Sequence, residues 1–416
     1  MFEKYSIRNF KIHQDSADIE FPGLTILTGT NNSGKTSLIQ SIRALSKIEN
    51  QLSGIPSLAF HKVNGLGELK DVLNKNVSRS ESIEYNLYFR PMPTLSAHVT
   101  LKFGSVLQGN MQVAARQPDA AVLNELQLIM DEGGDQYHIY QFVLSENGYF
   151  FVKQENGKRN VLGTVTFIGV QPVTSFPGIS DVREREKLLL CMEELRNLDE
   201  RSLRYLGPYR AVSAHVPDTG CRLLDVNGNN AAEVMAYWSD KFTFDGTPFP
   251  EAFAKWTSKL LKTEFAVRMD SSQYKLVAIE SGVELAISQI GFGNTQILPV
   301  IVQILTAMPG DLVMIENPEV HLHPKWKADL VELFLYAASH GIKVMLETQS
   351  MEIINRTRLT VKNSPELAKK IAMYFFEKRG FSCEINRIDI KETGDLDVWP
   401  EDFLDRVTIE DSFGLL

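Results

Sequence analysis

The chain is poor in cysteine, in basic runs and in long apolar segments, and each shortage argues against a class of protein. Three cysteines, Cys191, Cys221 and Cys383, stand apart with no C-x-x-C spacing and no nearby histidine pair, which disfavours disulfides and structural zinc. The longest apolar stretch, Ile297 to Met308, is broken by Pro299 and Gln303 and falls well short of the roughly 20 residues that span a bilayer. The first residues, MFEKYSIRNFKIHQ, scatter their charge instead of placing a basic segment before an apolar one. No signal peptide and a cytoplasmic location are therefore expected. Lys and Arg never run together beyond two or three, and 43 basic against 52 acidic residues give a net charge of −9. That balance argues against a surface coated for nucleic acid, though not against a local basic groove.

What remains is ordinary globular material: 416 residues, 44% hydrophobic and 23% charged. It is enough for two to three domains, or for one large α/β domain carrying an insertion. Residues 3–10 and 18–28 alternate polar and apolar as two short strands do. The second runs into GTNNSGKTS, and the residues after it place Leu38, Ile42 and Leu45 on one helical face. From about 80 to 170 the texture turns aromatic and β-branched, as in Ile83 to Phe89 and Gln136 to Leu144, with turn signals at Asn147-Gly148 and Asn156-Gly157. This predicts an inserted, mostly antiparallel layer. A charged helix is predicted over Val182 to Leu198, with Leu188, Leu189, Met192 and Leu195 on one side. The apolar runs Asp311 to Ile315 and Ile342 to Leu346 read as central parallel strands.

The octet Gly29-Thr30-Asn31-Asn32-Ser33-Gly34-Lys35-Thr36 fits G-x-x-x-x-G-K-[ST] between a strand and a helix. Its glycines allow backbone N–H groups to form an anion nest at the helix N-terminus. Lys35 supplies a charge for terminal phosphates, and Thr36 a hydroxyl for Mg²⁺. A Gly-rich turn without a ligand is the plainer alternative. Such a loop needs an acid at the end of a neighbouring strand, and Glu316, closing Asp311-Leu312-Val313-Met314-Ile315-Glu316, is the metal-side candidate. Between them, Ser288 to Gln296 sets Ser288, Gly291 and Gly293 at the opening of a helix predicted over Ile297 to Met308. This is either a second anion site, facing another subunit's nucleotide, or a polar cap with a tight turn.

The order NFK, GTNNSGKTS, IGFGNTQ, IENPEVHLHP, ETQS resembles the ABC-type AAA ATPases of bacteria, a group related to SMC and RecF proteins that includes the overcoming-lysogenisation-defect nucleases and Septu-like ATPase subunits. The segments YLGPYR and GDLDVWPEDF look like those of the subgroup with a short C-terminal cap. The resemblance implies an α/β, ABC-type P-loop ATPase head with a β-rich and helical insertion. The head takes residues 1–50 and 205–416, with the cap from about 360; the insertion takes 51–204. It implies ATP and Mg²⁺ as cofactors, Gly34, Lys35, Thr36 and Ser37 as Walker A, Glu316 as the Walker B acid, and Ser288 to Gln296 as the signature. Gly29, Asn32 and Ser33 complete the phosphate loop. Lys11 of NFK either reaches the nucleotide or stays solvated. Arg210 is a weaker candidate for a nucleotide or interface contact, against an exposed structural role. The expected assembly is a homo-oligomer through a head-to-head ATP sandwich.

Two departures stand out. Active relatives read Asp-Glu-Pro-Glu where this chain has Glu316-Asn317-Pro318-Glu319, and ETHS where it has Glu347-Thr348-Gln349-Ser350. Asn317 orients a water but takes no proton, and Gln349 bonds a phosphate without charge. Loss of a positioned base or donor costs about 10²–10⁴ in rate. Glu319 is the candidate replacement base, and His321 and His323 flank the same turn either as metal ligands or as a plain strand-to-helix turn.

ATP binding with weakened hydrolysis is the expectation. It favours a nucleotide-gated scaffold controlling a separate effector nuclease or toxin in anti-phage defence. The alternative is a turnover-competent Mg²⁺-dependent ATPase acting on DNA in repair or maintenance. The 66 residues after Ser350 are too few for a Toprim nuclease domain. Candidate DNA contacts on the insertion are only the scattered Arg79, Arg90, Lys102 and Arg116.

Overall fold

The computed structural model describes residues 2–52, 55–78, 80–105, 121–133, 137–145, 148–155, 157–173, 176–212, 222–270 and 273–400. Cys221, Arg79, Arg116, Asn147, Asn156 and the end of GDLDVWPEDF lie outside them. The chain divides into two compact units, one of residues 1–20, 31–200 and 376–385, the other of residues 21–30, 201–375 and 386–416.

In the first unit the alternating sequence becomes one antiparallel sheet. Ile83, Tyr85, Leu87 and Phe89 of strand Ile83–Met92 are buried, as are Phe103, Leu101, Val99 and Ala97 opposite them on Leu95–Gly104. With period two, every second residue meets the core. The strand order is Lys158–Val165, Gly148–Glu155, Tyr137–Ser145, Ala121–Asp131, Leu95–Gly104, Ile83–Met92, Lys4–Phe10 and His13–Asp15. The helix Lys35–Leu45 turns Leu38, Ile39, Ile42 and Leu45 inward, and Ser41 meets the buried Tyr5 hydroxyl at 2.6 Å.

The helix Val182–Arg196 is anchored to this sheet through Glu184, which pairs with Lys153 (2.8 Å) and accepts from the Tyr140 hydroxyl. Its buried stripe is Leu188, Cys191, Met192 and Leu195, while Leu189 is 48% exposed. The sequence expectation for Leu189 is corrected here: it lies about 100° round the helix from Leu188, off the i, i+3/i+4, i+7 face.

In the second unit the apolar runs without alternation form parallel strands buried on both faces. Leu203–Leu206, Leu312–Glu316, Lys343–Glu347 and Leu24–Gly29 lie side by side in that order. All four are parallel, and their register sets Glu316 opposite Glu347 and Glu347 opposite Leu27. Their carboxyl ends therefore sit level, the edge at which open α/β sheets bind ligands. The helices Phe249–Leu261, Phe292–Leu305 and Pro324–Ser339 supply much of the core around Ile297, Ile301, Leu330 and Phe334. The helix predicted over Ile297 to Met308 is corrected here: it spans Phe292–Leu305, capped by Gly291 at its start and Thr306 at its end. A three-stranded antiparallel sheet, Glu264–Asp270, Gln273–Glu280 and Val283–Ala286, precedes it.

Candidate functional site

The loop between strand Leu24–Gly29 and helix Lys35–Leu45 carries three positive-φ residues, Gly29 at 132°, Asn32 at 59° and Gly34 at 108°. Gly34 is the N-cap and supplies no side-chain cap, and the first helical turn holds no acid. An anion at this helix start would meet the positive end of the helix dipole. A side chain at Gly34 has no room, since its Cβ would lie 2.7 Å from Ile12 Cγ2 and 3.1 Å from the His13 ring. Lys35 is buried at 4% exposure, with Nζ turned to the buried Ser33 hydroxyl at 3.4 Å, whereas Thr36 is exposed and Ser37 half-buried. A glycine cradle, an enclosed ammonium and an open hydroxyl are a donor set that fits a polyphosphate and the hard, oxygen-seeking cation that accompanies it.

The residues behind the loop hold its shape. His13 is buried and hydrogen-bonds the Gly34 carbonyl at 2.9 Å, while its Nδ1 is buried with no partner among the described residues. Burial pulls its pKa down to about 4, against the bond to Gly34, which favours the charged form. The imidazole is therefore neutral near pH 7, with Nε2–H donating. Lys11 sits at φ 49° in the turn after strand Lys4–Phe10, where its Nζ donates to Gln40 Oε1 (2.7 Å) and the Gly65 carbonyl (3.4 Å). Burial lowers its pKa.

In the second unit Glu316 ends its strand buried, accepting from the Tyr205 hydroxyl at 3.0 Å. Asn317 turns the chain at φ 44°, a conformation Asn tolerates better than most residues, and its N–H bonds the Glu347 carbonyl at 2.7 Å. Glu319 Oε1 accepts the Gln349 N–H at 3.3 Å; Oε2 is buried with no hydrogen-bond partner among the described residues. Burial lifts the Glu319 carboxyl above the usual range, opposed by donors from Thr348, Gln349 and Asn317. Gln349 also donates through Nε2 to the Gly29 carbonyl at 3.1 Å, and Glu347 is buried. The sheet thus brings Glu316, Asn317, Glu319 and Gln349 to one edge, as their positions at strand ends require.

The signature segment is open. Ser288 lies exposed in a 3₁₀ turn, Ile287–Gln289, and Gly291 caps the helix Phe292–Leu305 without a side-chain bond. A Cβ on Gly291 would meet nothing within 4 Å, whereas one on Gly293 would press on Trp326 at 3.1 Å and the His321 carbonyl at 3.2 Å. Phe292 is 61% exposed, its ring edge-on to His321 at 5.0 Å.

Arg210 is the residue that sequence reasoning undervalued. It is 3% exposed, which corrects the exposed role expected of it. Its guanidinium donates to the carbonyls of Gln296 (2.9 Å), Gly207 (2.9 Å), Glu316 (2.9 Å) and Asn317 (2.8 Å). Burial lowers its pKa to about 10, opposed by Glu319 and Tyr205. Planar and multiply donating, it ties the signature helix to the acidic strand end. The only sequence signal was an Arg beside a Gly-Pro turn.

Other candidates take structural places. His323 N-caps the helix Pro324–Ser339 through Nδ1 and the Lys325 N–H (3.3 Å), His321 turns at φ 60°, and no group of three or more metal-ligating side chains occurs among the described residues. Arg90 pairs with Glu3 at 3.6 Å and Lys102 with Glu125 at 3.3 Å.

A strand, glycine loop and helix with an enclosed lysine, together with a parallel sheet ending in acids and a glycine-opened signature helix, define an ABC-type P-loop ATPase head. The family described as "AAA ATPase domain" matches residues 1–158. That described as "AAA domain, putative AbiEii toxin, Type IV TA system" matches residues 169–355, and "Protein of unknown function (DUF3696)" matches 368–410. Residues 1–158 and 169–355 thus match AAA-type ATPase domains, neither match reaching half of the chain. The chain is similar to the DNA replication and repair protein RecF of Chloroherpeton thalassium, 34% identical over 88 residues, a match spanning 21% of this chain and 23% of that protein. Among solved structures it is similar to an Smc head bound to the C-winged helix domain of ScpA, with 11% identity, 94% and 98% of the two chains covered and a TM-score of 0.46. The SMC head domain from Thermotoga maritima gives 12% identity, 94% and 99% coverage and a TM-score of 0.44. No helix among the described residues is long and apolar enough to cross a membrane.

Proposed function

We propose that this protein is a nucleotide-gated, homo-oligomeric scaffold that controls a separate effector nuclease or toxin in anti-phage defence, binding ATP tightly and hydrolysing it slowly. The observation that carries this reading is the Asn317–Glu319 turn. At the position of the attacking base stands an amide, and the carboxylate two residues on, Glu319, is buried and accepts the Gln349 N–H through one oxygen. A base so engaged is poorly placed to take a proton from water.

The phosphates would be held by the loop of Gly29, Asn32, Ser33 and Gly34, by Lys35 and by the hydroxyls of Thr36 and Ser37. Thr36 and Glu316 are the proposed Mg²⁺ ligands; when bound, the ion neutralises phosphate charge. Gln349 is read as orienting a phosphate or water, and the bond from its amide to the Gly29 carbonyl supports that reading. Ser288, Gly291 and Gly293 are read as closing over the nucleotide of another copy, since Gly291 caps its helix without a side-chain bond. Residues 1–50 and 205–416 act as the head in this reading, 51–204 as the insertion, and the site of action is the cytoplasm.

The alternative, a turnover-competent ATPase acting on DNA, rests on Glu319, whose raised carboxyl is closer to a working base than an ordinary Glu. Single-turnover hydrolysis by the purified protein distinguishes the two. The scaffold reading expects negligible turnover, raised about tenfold or more by Asn317→Glu. Rapid turnover in the unmodified protein, lost on Glu319→Gln, overturns it.

A further inference from the structure

The second unit holds a cavity of about 660 Å³ at the opposite end of its parallel sheet from the acidic edge. Arg201 and Asp311 stand just before strands Leu203–Leu206 and Leu312–Glu316 and line it. From Asp311 to Glu316 the strand runs about 16 Å at ~3.3 Å per residue, so the cavity is separate from the edge that carries Glu316, Glu347 and Gln349. Its volume is that of a small-molecule site.

The lining is lopsided in charge. Arg201, Arg204, Arg222 and Lys241 face it with one carboxylate, Asp311, in a protein whose net charge is −9. Asp311 is taken by Arg204, which is buried and fixed by Asp311 at 2.9 Å, the Thr306 hydroxyl at 3.1 Å and the Arg201 carbonyl at 3.0 Å. Lys241 bonds the Tyr237 carbonyl and the exposed Asp240, each at 2.7 Å. Among the described residues no carboxylate pairs with Arg222; its guanidinium lies 5.5 Å from the centre of the Tyr237 ring, and Lys241 Nζ lies 4.0 Å from the same ring. Two cations are thus gathered around one aromatic ring, with the exposed Asp240 as the one carboxylate bonded to either among the described residues. Trp238 forms buried wall beside them, and its indole N–H has no acceptor among the described residues.

We propose that this cavity binds a small ligand bearing several phosphate charges, at a site distinct from the glycine loop. A polyphosphate or a nucleotide offers several charges at once to Arg222 and Lys241, and a cavity of 660 Å³ is of small-molecule size. Arg222 supplies the planar donor fork suited to phosphate oxygens, and Lys241 a mobile point charge.

The test uses the full chain carrying Lys35→Ala, which disables the glycine loop, with inorganic tripolyphosphate and ATP as separate probes. Titration calorimetry and tryptophan fluorescence, with Trp238→Phe identifying the reporter, follow binding. Saturable binding that survives Lys35→Ala and weakens about tenfold or more with Arg222→Glu or Lys241→Gln is the expected result. Equal affinity for both probes assigns recognition to the phosphates alone; a clear preference for ATP adds the nucleoside. No saturable binding of either probe up to about 1 mM, or binding indifferent to both substitutions, overturns the proposal. Arg222 is exposed, so its variants should keep the fold, and Arg222→Gln provides a milder check.

Discussion

The two glycine-opened helices differ in how far each is finished by its own surroundings. At Lys35–Leu45 the capping Gly34 is held at φ 108° with Ile12 and His13 against it, and Lys35 is enclosed. At Phe292–Leu305 the capping Gly291 has φ −50°, open space around its Cα and an exposed Phe292 after it. One helix start is therefore enclosed by packed side chains and the other lies open. The lesson is that conformation and crowding demand a glycine at Gly34, whereas neither demands one at Gly291.

The sharpest way to break the contrast is Gly34→Ala. A Cβ there meets Ile12 at 2.7 Å on a backbone at φ 108°, so left-handed strain and overpacking together should cost about 2–4 kcal/mol of stability. Distortion of the nest should also weaken ATP binding about 100-fold or more, equivalent to about 2.7 kcal/mol. Denaturant unfolding and equilibrium nucleotide binding check both parts. Unchanged affinity in a folded variant would mean that the loop does not cradle the phosphates.

A smaller effect should follow from the histidine behind the loop. In the unfolded chain His13 takes a proton near 6.5, but in the folded protein only near about 4. Between those values the unfolded state binds more protons, so His13 contributes fully above 6.5 and its contribution is lost as pH falls through the folded value. The loss amounts to about 3 kcal/mol at ~1.4 kcal/mol per pH unit. Unfolding free energies from pH 7 down to pH 4 should show this decline, and His13→Gln, whose amide can still donate to the Gly34 carbonyl, should remove that part of it. An identical slope in the variant would assign the acid sensitivity elsewhere.

These contrasts also mark how much was legible in the sequence. The glycine loop and the strand ending at Glu316 could be read because each is a local pattern: contiguous residues fix the nest, and an unbroken apolar run fixes a parallel strand. Arg210 could not, because its partners Gln296 and Asn317 lie 86 and 107 residues away and are backbone carbonyls, which leave no trace in side-chain identity. Leu189 misled because a helix rich in leucine offers more apolar residues than its narrow buried stripe accepts. The cavity at the far end of the sheet was equally hidden, its cations coming from strand Leu203–Leu206 and from separate loops of the second unit.

The smallest folding effect is expected at Gly291, and it sharpens the comparison most. Gly291→Ala introduces a methyl into open space at an ordinary φ, so stability should change by no more than about 0.5 kcal/mol. ATP affinity of the isolated chain should hold, because the glycine loop does not depend on this residue for its shape. If the opening exists for close approach of a second copy's nucleotide, the added methyl should act only there, lowering ATP-dependent self-association measured by sedimentation or light scattering. A variant with normal folding, normal ATP binding and undiminished ATP-dependent association would show that Gly291 is merely a turn. Reduced association with the other two properties intact would show that this helix start is completed by a partner, as the one at Gly34 is completed by its own chain.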